Sequence, residues 1–113
     1  IEQGIKFSIH SDAPVTFPSS MRILHSAVNL TTRSGTVLGK EHQLTALHAL
    51  KAMTIWPAFQ HFEDQTKGSL VAGKLADLVI LDKNPLTEDS MDLLNIRVLE
   101  TIKEGRTIYI APE

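Results

Sequence analysis

The patterning of this chain changes at Glu63-Asp64-Gln65-Thr66-Lys67-Gly68, and that change constrains its fold more than any other feature. Upstream, apolar residues recur at helical spacing. Downstream, they come in short runs set between turn signals. A helical part is therefore followed by a β part, which is an α+β pattern, with the boundary in 63–68.

The helical part begins at Pro18-Ser19-Ser20, where a serine is available to cap. Met21, Leu24, Ala27 and Val28 then form one apolar face, and Thr31-Thr32-Arg33-Ser34-Gly35 ends it. Residues 33–42 read as a polar loop. Thr45 is a second N-cap, followed by good helix formers over 46–53. Leu47, Leu50 and Thr54 share a stripe, with Ala46, Ala49 and Met53 beside it. Trp56-Pro57 breaks this helix, and Pro57 suits the first turn of a short third one over 58–62. In the β part, Asp77-Leu78-Val79-Ile80-Leu81-Asp82 is a short strand bounded by acids, and Asn84-Pro85 marks a turn. Residues 94–103 predict a longer strand with Ile96, Val98 and Ile102 on one side. Glu104-Gly105 is a two-residue hairpin turn, and 106–110 return.

Near the start, Gly4-Ile5-Lys6-Phe7-Ser8-Ile9 reads as a short, mostly apolar strand, followed by His10-Ser11-Asp12-Ala13-Pro14-Val15. Pro14 stops any continuation, because it lacks an N–H and restricts the residue before it. An acidic residue at the carboxyl end of a buried strand is where barrel enzymes place catalysis. On the residues alone, Asp12 reads first as a turn former that bonds nearby backbone. One Asp and one neighbouring His cannot do metal chemistry alone, so the rest of any such site lies elsewhere.

A hydrophobic fraction of 42% suffices for a modest core in 113 residues. With a net charge of −2 and scattered Lys and Arg, there is no electrostatic footprint for nucleic acid or an anionic membrane, and neither partner is expected. There are no cysteines, which excludes disulfides and Cys-based zinc sites. A reducing compartment is allowed, and the cytoplasm is the expected location. No apolar run approaches the roughly 20 residues of a membrane span, and no signal-peptide pattern is visible. The chain opens on Ile1, just before a strand with no upstream partner. The expectation is a segment of a longer protein, the alternative being a trimmed small one.

Three stretches, in order, carry a resemblance. They are His10-Ser11-Asp12-Ala13-Pro14-Val15, then Leu44-Thr45-Ala46-Leu47-His48-Ala49-Leu50-Lys51-Ala52-Met53-Thr54, then Gly68-Ser69-Leu70-Val71-Ala72-Gly73-Lys74-Leu75-Ala76-Asp77-Leu78-Val79-Ile80-Leu81-Asp82. With the closing Val98, Thr101, Gly105-Arg106 and Tyr109, the chain resembles the C-terminal end of the metal-dependent amidohydrolase superfamily, most closely its YtcJ-like branch (amidohydrolase family 3). The resemblance implies a divided fold. Residues 1–62 would be the last strand and helices of a (β/α)8 barrel. Residues 63–113 would be half of a small β-sandwich, a composite domain completed by strands from elsewhere in the parent chain.

The resemblance aligns Asp12 with a carboxylate that ligates a divalent metal, zinc by expectation, and takes the proton from its water. The same carboxylate can protonate the leaving amine. The family's remaining ligands, a His-x-His pair, a carboxylated Lys or Glu and two further His, have no counterpart here. His10 shares a strand side with Asp12 and is read as a shaper of the substrate pocket. His25, His42, His48 and His61 are read as solvated or structural. Gly73-Lys74-Leu75-Ala76-Asp77 is read as structural, with Gly68 and Gly73 permitting tight turns and Asp77 accepting backbone N–H groups. Ser69 has no triad partners, and Trp56 and Phe59 are read as core packing.

The leading expectation is the C-terminal portion of a metal-dependent hydrolase acting on carbon–nitrogen bonds of non-peptide amides, inactive when isolated. The alternative is a non-catalytic regulatory or protein-interaction module on the same scaffold. Partners would be the remainder of the parent chain and a small-molecule substrate. The isolated piece would self-associate through unpaired strand edges.

Overall fold

The computed structural model describes residues 6–9, 20–29 and 45–113. The expected helices are present as α1 (Ser20–Asn29), α2 (Ala46–Met53) and α3 (Ile55–Gln60). Thr45 caps α2, its hydroxyl oxygen accepting the His48 N–H at 3.2 Å. The stripe on α2 differs from the expectation. Its buried residues are Ala49 and Ala52, while Leu47 is exposed. Small residues let the chain approach closely here, and the Ile9 N–H donates to the Ala52 carbonyl at 3.3 Å. The break falls at Thr54, whose hydroxyl turns back to the Leu50 carbonyl at 2.7 Å. Helix α3 therefore starts before Pro57, which sits in a first turn where its missing N–H is unused. Phe59 is half exposed rather than core.

The β part is a three-stranded antiparallel sheet in the order β1 (Leu78–Leu81), β2 (Val98–Lys103), β3 (Arg106–Ile110). Register shifts fall between Ile80 and Leu81 and between Thr101 and Ile102. The turn residues Glu104 and Gly105 both have positive φ, 51° and 78°, the left-handed pair that matches the twist of a tight hairpin.

The longer strand expected over 94–103 is shortened. A 3-10 helix at Ser90–Asn95 precedes β2, and the Asp89 side chain accepts the Met91 N–H at its start. Period three eclipses residues i and i+3, so Leu93 and Ile96 reach the core together. That core is Leu24, Ala49, Leu93 and Ile96, with Met21, Val28 and Leu81 among the half-buried residues packed on it. It draws on both sides of the 63–68 boundary. Asn29 reinforces the junction, donating to the Ser90 carbonyl at 2.8 Å and the His25 carbonyl at 3.1 Å.

Outside that core the β part is open. Every residue of β3 is exposed, including Ile108, Tyr109 and Ile110. Residues 6–9, expected within a strand, carry no ladder pairing among the described residues. Among those residues no helix is long and apolar enough to cross a membrane.

Candidate functional site

Asp12 and His10, the two site residues expected from the sequence, lie outside the described residues, as does His42. The segment leading to them is described, and it is held by the α2–α3 corner. Phe7 and Ile9 are half buried while Lys6 and Ser8 are exposed, a period of two. The Phe7 ring packs on Trp56 at 5.0 Å between centroids. The Lys6 ammonium sits 4.4 Å above the Phe59 ring, and the Gln60 side chain reaches the Lys6 carbonyl at 3.5 Å. His48 also lies beside Trp56, at 6.2 Å between ring centroids, its Nδ1 2.8 Å from the Thr45 hydroxyl. The aromatic and alternating residues were legible as packing. Their convergence on the segment before Asp12 was not, because it joins positions some fifty residues apart.

The Gly68 to Asp77 motif has a structural use for each polar residue. Gly68 has φ of +92°, and a Cβ there would lie 2.9 Å from both the Ala58 Cβ and the Ile55 Cα. Only glycine allows this approach to α3. The Lys74 ammonium donates to the Ser69 hydroxyl at 2.8 Å and to the Lys67 carbonyl at 3.3 Å. Lys74 thus closes the loop, and Ser69 is engaged as its acceptor. The Asp77 carboxylate accepts the Glu104 N–H at 2.8 Å.

Between α3 and the sheet lies an open groove of about 720 Å³, lined by Pro57, Ala58, Ser69, Thr101 and Ile108 among others. Lys67 and Glu63 pair at its rim at 2.9 Å. Their hydrogen bond, then their opposite charges, holds the Glu63 carboxyl below its usual value and the Lys67 ammonium above. Both side chains are well exposed, so the pair adds little stability. Among the described residues no group of three or more His, Asp or Glu side chains could hold a metal ion. His25 is buried on α1, and His61 is exposed.

A model of the amidohydrolase family matches residues 1–109. The chain belongs to that family. It is similar to an N-substituted formamide deformylase from Arthrobacter pascens, with 33% identity over 109 residues, covering 96% of this chain and 20% of that protein. It therefore spans about a fifth of that relative's length. A crystal structure of an amidohydrolase from Thermotoga maritima MSB8 superposes with a TM-score of 0.71 over 97% of this chain and 24% of that one, at 19% identity. The small α+β arrangement seen here is thus an amidohydrolase fold element.

Proposed function

We propose that this amidohydrolase-family chain is the C-terminal portion of a metal-dependent hydrolase of carbon–nitrogen bonds in non-peptide amides. N-substituted formamides are the first substrate class to test. The observation that carries this reading is the 33% identity to a formamide deformylase along nearly the whole chain. Residues 1–62 are read as the last strand and helices of a (β/α)8 barrel, and 63–113 as half of a composite β-sandwich. The three sequence stretches favour the YtcJ-like branch, and a cytoplasmic location of the parent is part of the same reading.

Asp12 is the residue assigned to chemistry. The reading rests on the sequence resemblance around His10-Ser11-Asp12-Ala13-Pro14-Val15. Asp12 is one oxygen donor, with His10 shaping the pocket, whereas a zinc site takes three or four protein ligands. The donor set of this chain does not make a metal centre alone, and the remaining ligands belong to the rest of the parent chain. A divalent cation, once bound by the full set, acidifies water to a pKa of about 7. Asp12 takes a proton at its carboxylate oxygen and returns it to the leaving nitrogen. The isolated chain is inactive on this reading.

Metal content and formamide hydrolysis of the parent protein test it. One or two equivalents of zinc or a similar ion, with turnover abolished by Asp12→Asn and folding retained, is the expected result. A parent that stays metal-free after reconstitution, or an Asp12→Asn variant with full turnover, would overturn it.

A further inference from the structure

Phe62 breaks a local rule with no local gain. It stands at φ of 60° just past α3 and is 93% exposed. Glycine is usual at that position, because a Cβ strains the left-handed backbone. The turn does not use the ring. Its bonds run from the Phe62 N–H to the Phe59 carbonyl at 3.0 Å and from the Glu63 N–H to the Ala58 carbonyl at 2.7 Å. The apolar contact that often closes such a turn joins the two residues of the second bond. Here those are Ala58 and Glu63, so Phe62 has no part in it. Within this chain the phenylalanine costs backbone strain and recovers nothing by burial. A backbone outlier of this kind is a pointer to function, since local rules are broken where something else is gained.

The surroundings of Phe62 fit an anchor. Gln60, His61, Glu63 and Gln65 beside it are exposed and polar. A single aromatic ringed by polar groups is the anatomy found at the energetic centre of protein contacts. The turn is also held in place, because Gly68 brings the following loop against Ala58 and Ile55. The ring is therefore presented in advance, which lowers the ordering cost of seating it. The occupant follows from length. The chain spans 20% of a relative to which it is 33% identical, so about four-fifths of a parent of that size lies outside these residues. That remainder is covalently joined and meets Phe62 without the entropy loss of association, whereas a second copy would bear that loss for one ring.

We propose that Phe62 is the anchor by which this chain docks on the remainder of its own parent, its ring filling an apolar pocket there. The proposal rests on the reading of the chain as a portion of a longer protein. Phe62→Ala keeps the strained backbone and removes only the ring, so its effect reports the pocket. Phe62→Leu keeps apolar volume and recovers part of what alanine loses.

Hydroxyl-radical footprinting of the full-length wild-type parent reads the ring directly, with the same peptide after proteolysis as the exposed reference. Oxidation of Phe62 should be about tenfold slower in the folded parent, the step from a 93% exposed ring to a packed one. In the parent, Phe62→Ala should lower the melting temperature by a few degrees, with Phe62→Leu in between. Oxidation at the free-peptide rate would overturn the proposal, as would a Phe62→Ala parent that melts with wild type. Protection that appears only as the parent concentration rises assigns the ring to a second copy and overturns it too. The intact mass of the native protein separates the two readings. A mass of 113 residues sinks the longer parent and the proposal together, while a long parent with an unprotected Phe62 sinks the proposal alone.

Discussion

The Asp77 carboxylate accepts the Glu104 backbone N–H at 2.8 Å, across 27 residues of chain. The next amide, Gly105 N–H, donates to the Ala76 carbonyl at 3.0 Å. Two consecutive donors of the β2–β3 turn are therefore satisfied by two consecutive residues just ahead of β1. Glu104 is a non-glycine residue at φ of 51°, a conformation that such residues rarely adopt unaided, and these bonds hold it there. Asp77→Ala should destabilise the chain by roughly 1 kcal/mol, the scale of a lost cap. Denaturant unfolding checks this. In the parent, turnover per folded molecule should be unchanged, since Asp77 is structural.

Two left-handed positions should respond in opposite directions. Gly68→Ala places a Cβ 2.9 Å from Ala58 and Ile55 at φ of +92°, and should cost about 1–3 kcal/mol. Phe62 stands at φ of 60° and is 93% exposed. It occupies the residue after the α3 cap where glycine is usual, with Phe62 N–H on the Phe59 carbonyl and Glu63 N–H on the Ala58 carbonyl. Phe62→Gly should stabilise by about 0.5–1 kcal/mol, because it removes the left-handed penalty and little buried area. Thermal melts of the two variants in parallel give the comparison.

Acid should loosen the α1 corner. Burial first, and then the Arg22 charge, hold the folded His25 imidazole below its ordinary value. The unfolded chain takes up that proton near pH 6.5, about the ordinary value for histidine, before the folded one does. Unfolding therefore binds a proton in this window, and stability rises with pH there. The contribution is fully present above that value and is lost as pH falls through the lower folded value. Denaturant midpoints at pH 8 and pH 5.5 should differ in the wild type and differ less in His25→Gln.

The isolated chain should self-associate. β3 is exposed along its length, Ile108, Tyr109 and Ile110 included, and unpaired apolar edges recruit other strands. Sedimentation velocity should show dimers or larger species whose share grows with concentration. Ile108→Lys with Ile110→Lys should shift the profile toward monomer. A strictly monomeric wild type at high concentration would refute the expectation.

Local chemistry was readable without coordinates. Thr45 as a cap, Pro57 near a helix start, Glu104-Gly105 as a tight turn and Asp77 as a backbone acceptor all depend on interactions or φ preferences near in sequence, or on one residue's own chemistry. The strand predicted over 94–103 takes in Leu94 and Asn95, the end of the 3-10 helix Ser90–Asn95, because Leu94 and Ile96 fit either period over so short a run. The only local signal of that helix was Asp89 as a cap. Leu47 looked like core by spacing, yet the face of α2 that packs is set by which neighbour comes closest, and that face carries Ala49 and Ala52.

The sequence by itself determined the family, through motifs whose order survives from His10 to Tyr109, and it determined the turns and caps that define each element. Tertiary structure decided which elements meet. Leu24 closes on Leu93 and Ile96, Asn29 reaches Ser90, and Trp56 bears on Phe7. Contacts of that kind join residues tens of positions apart, and their free energy depends on shape and distance rather than on any local preference. No periodicity or motif in the chain encodes them.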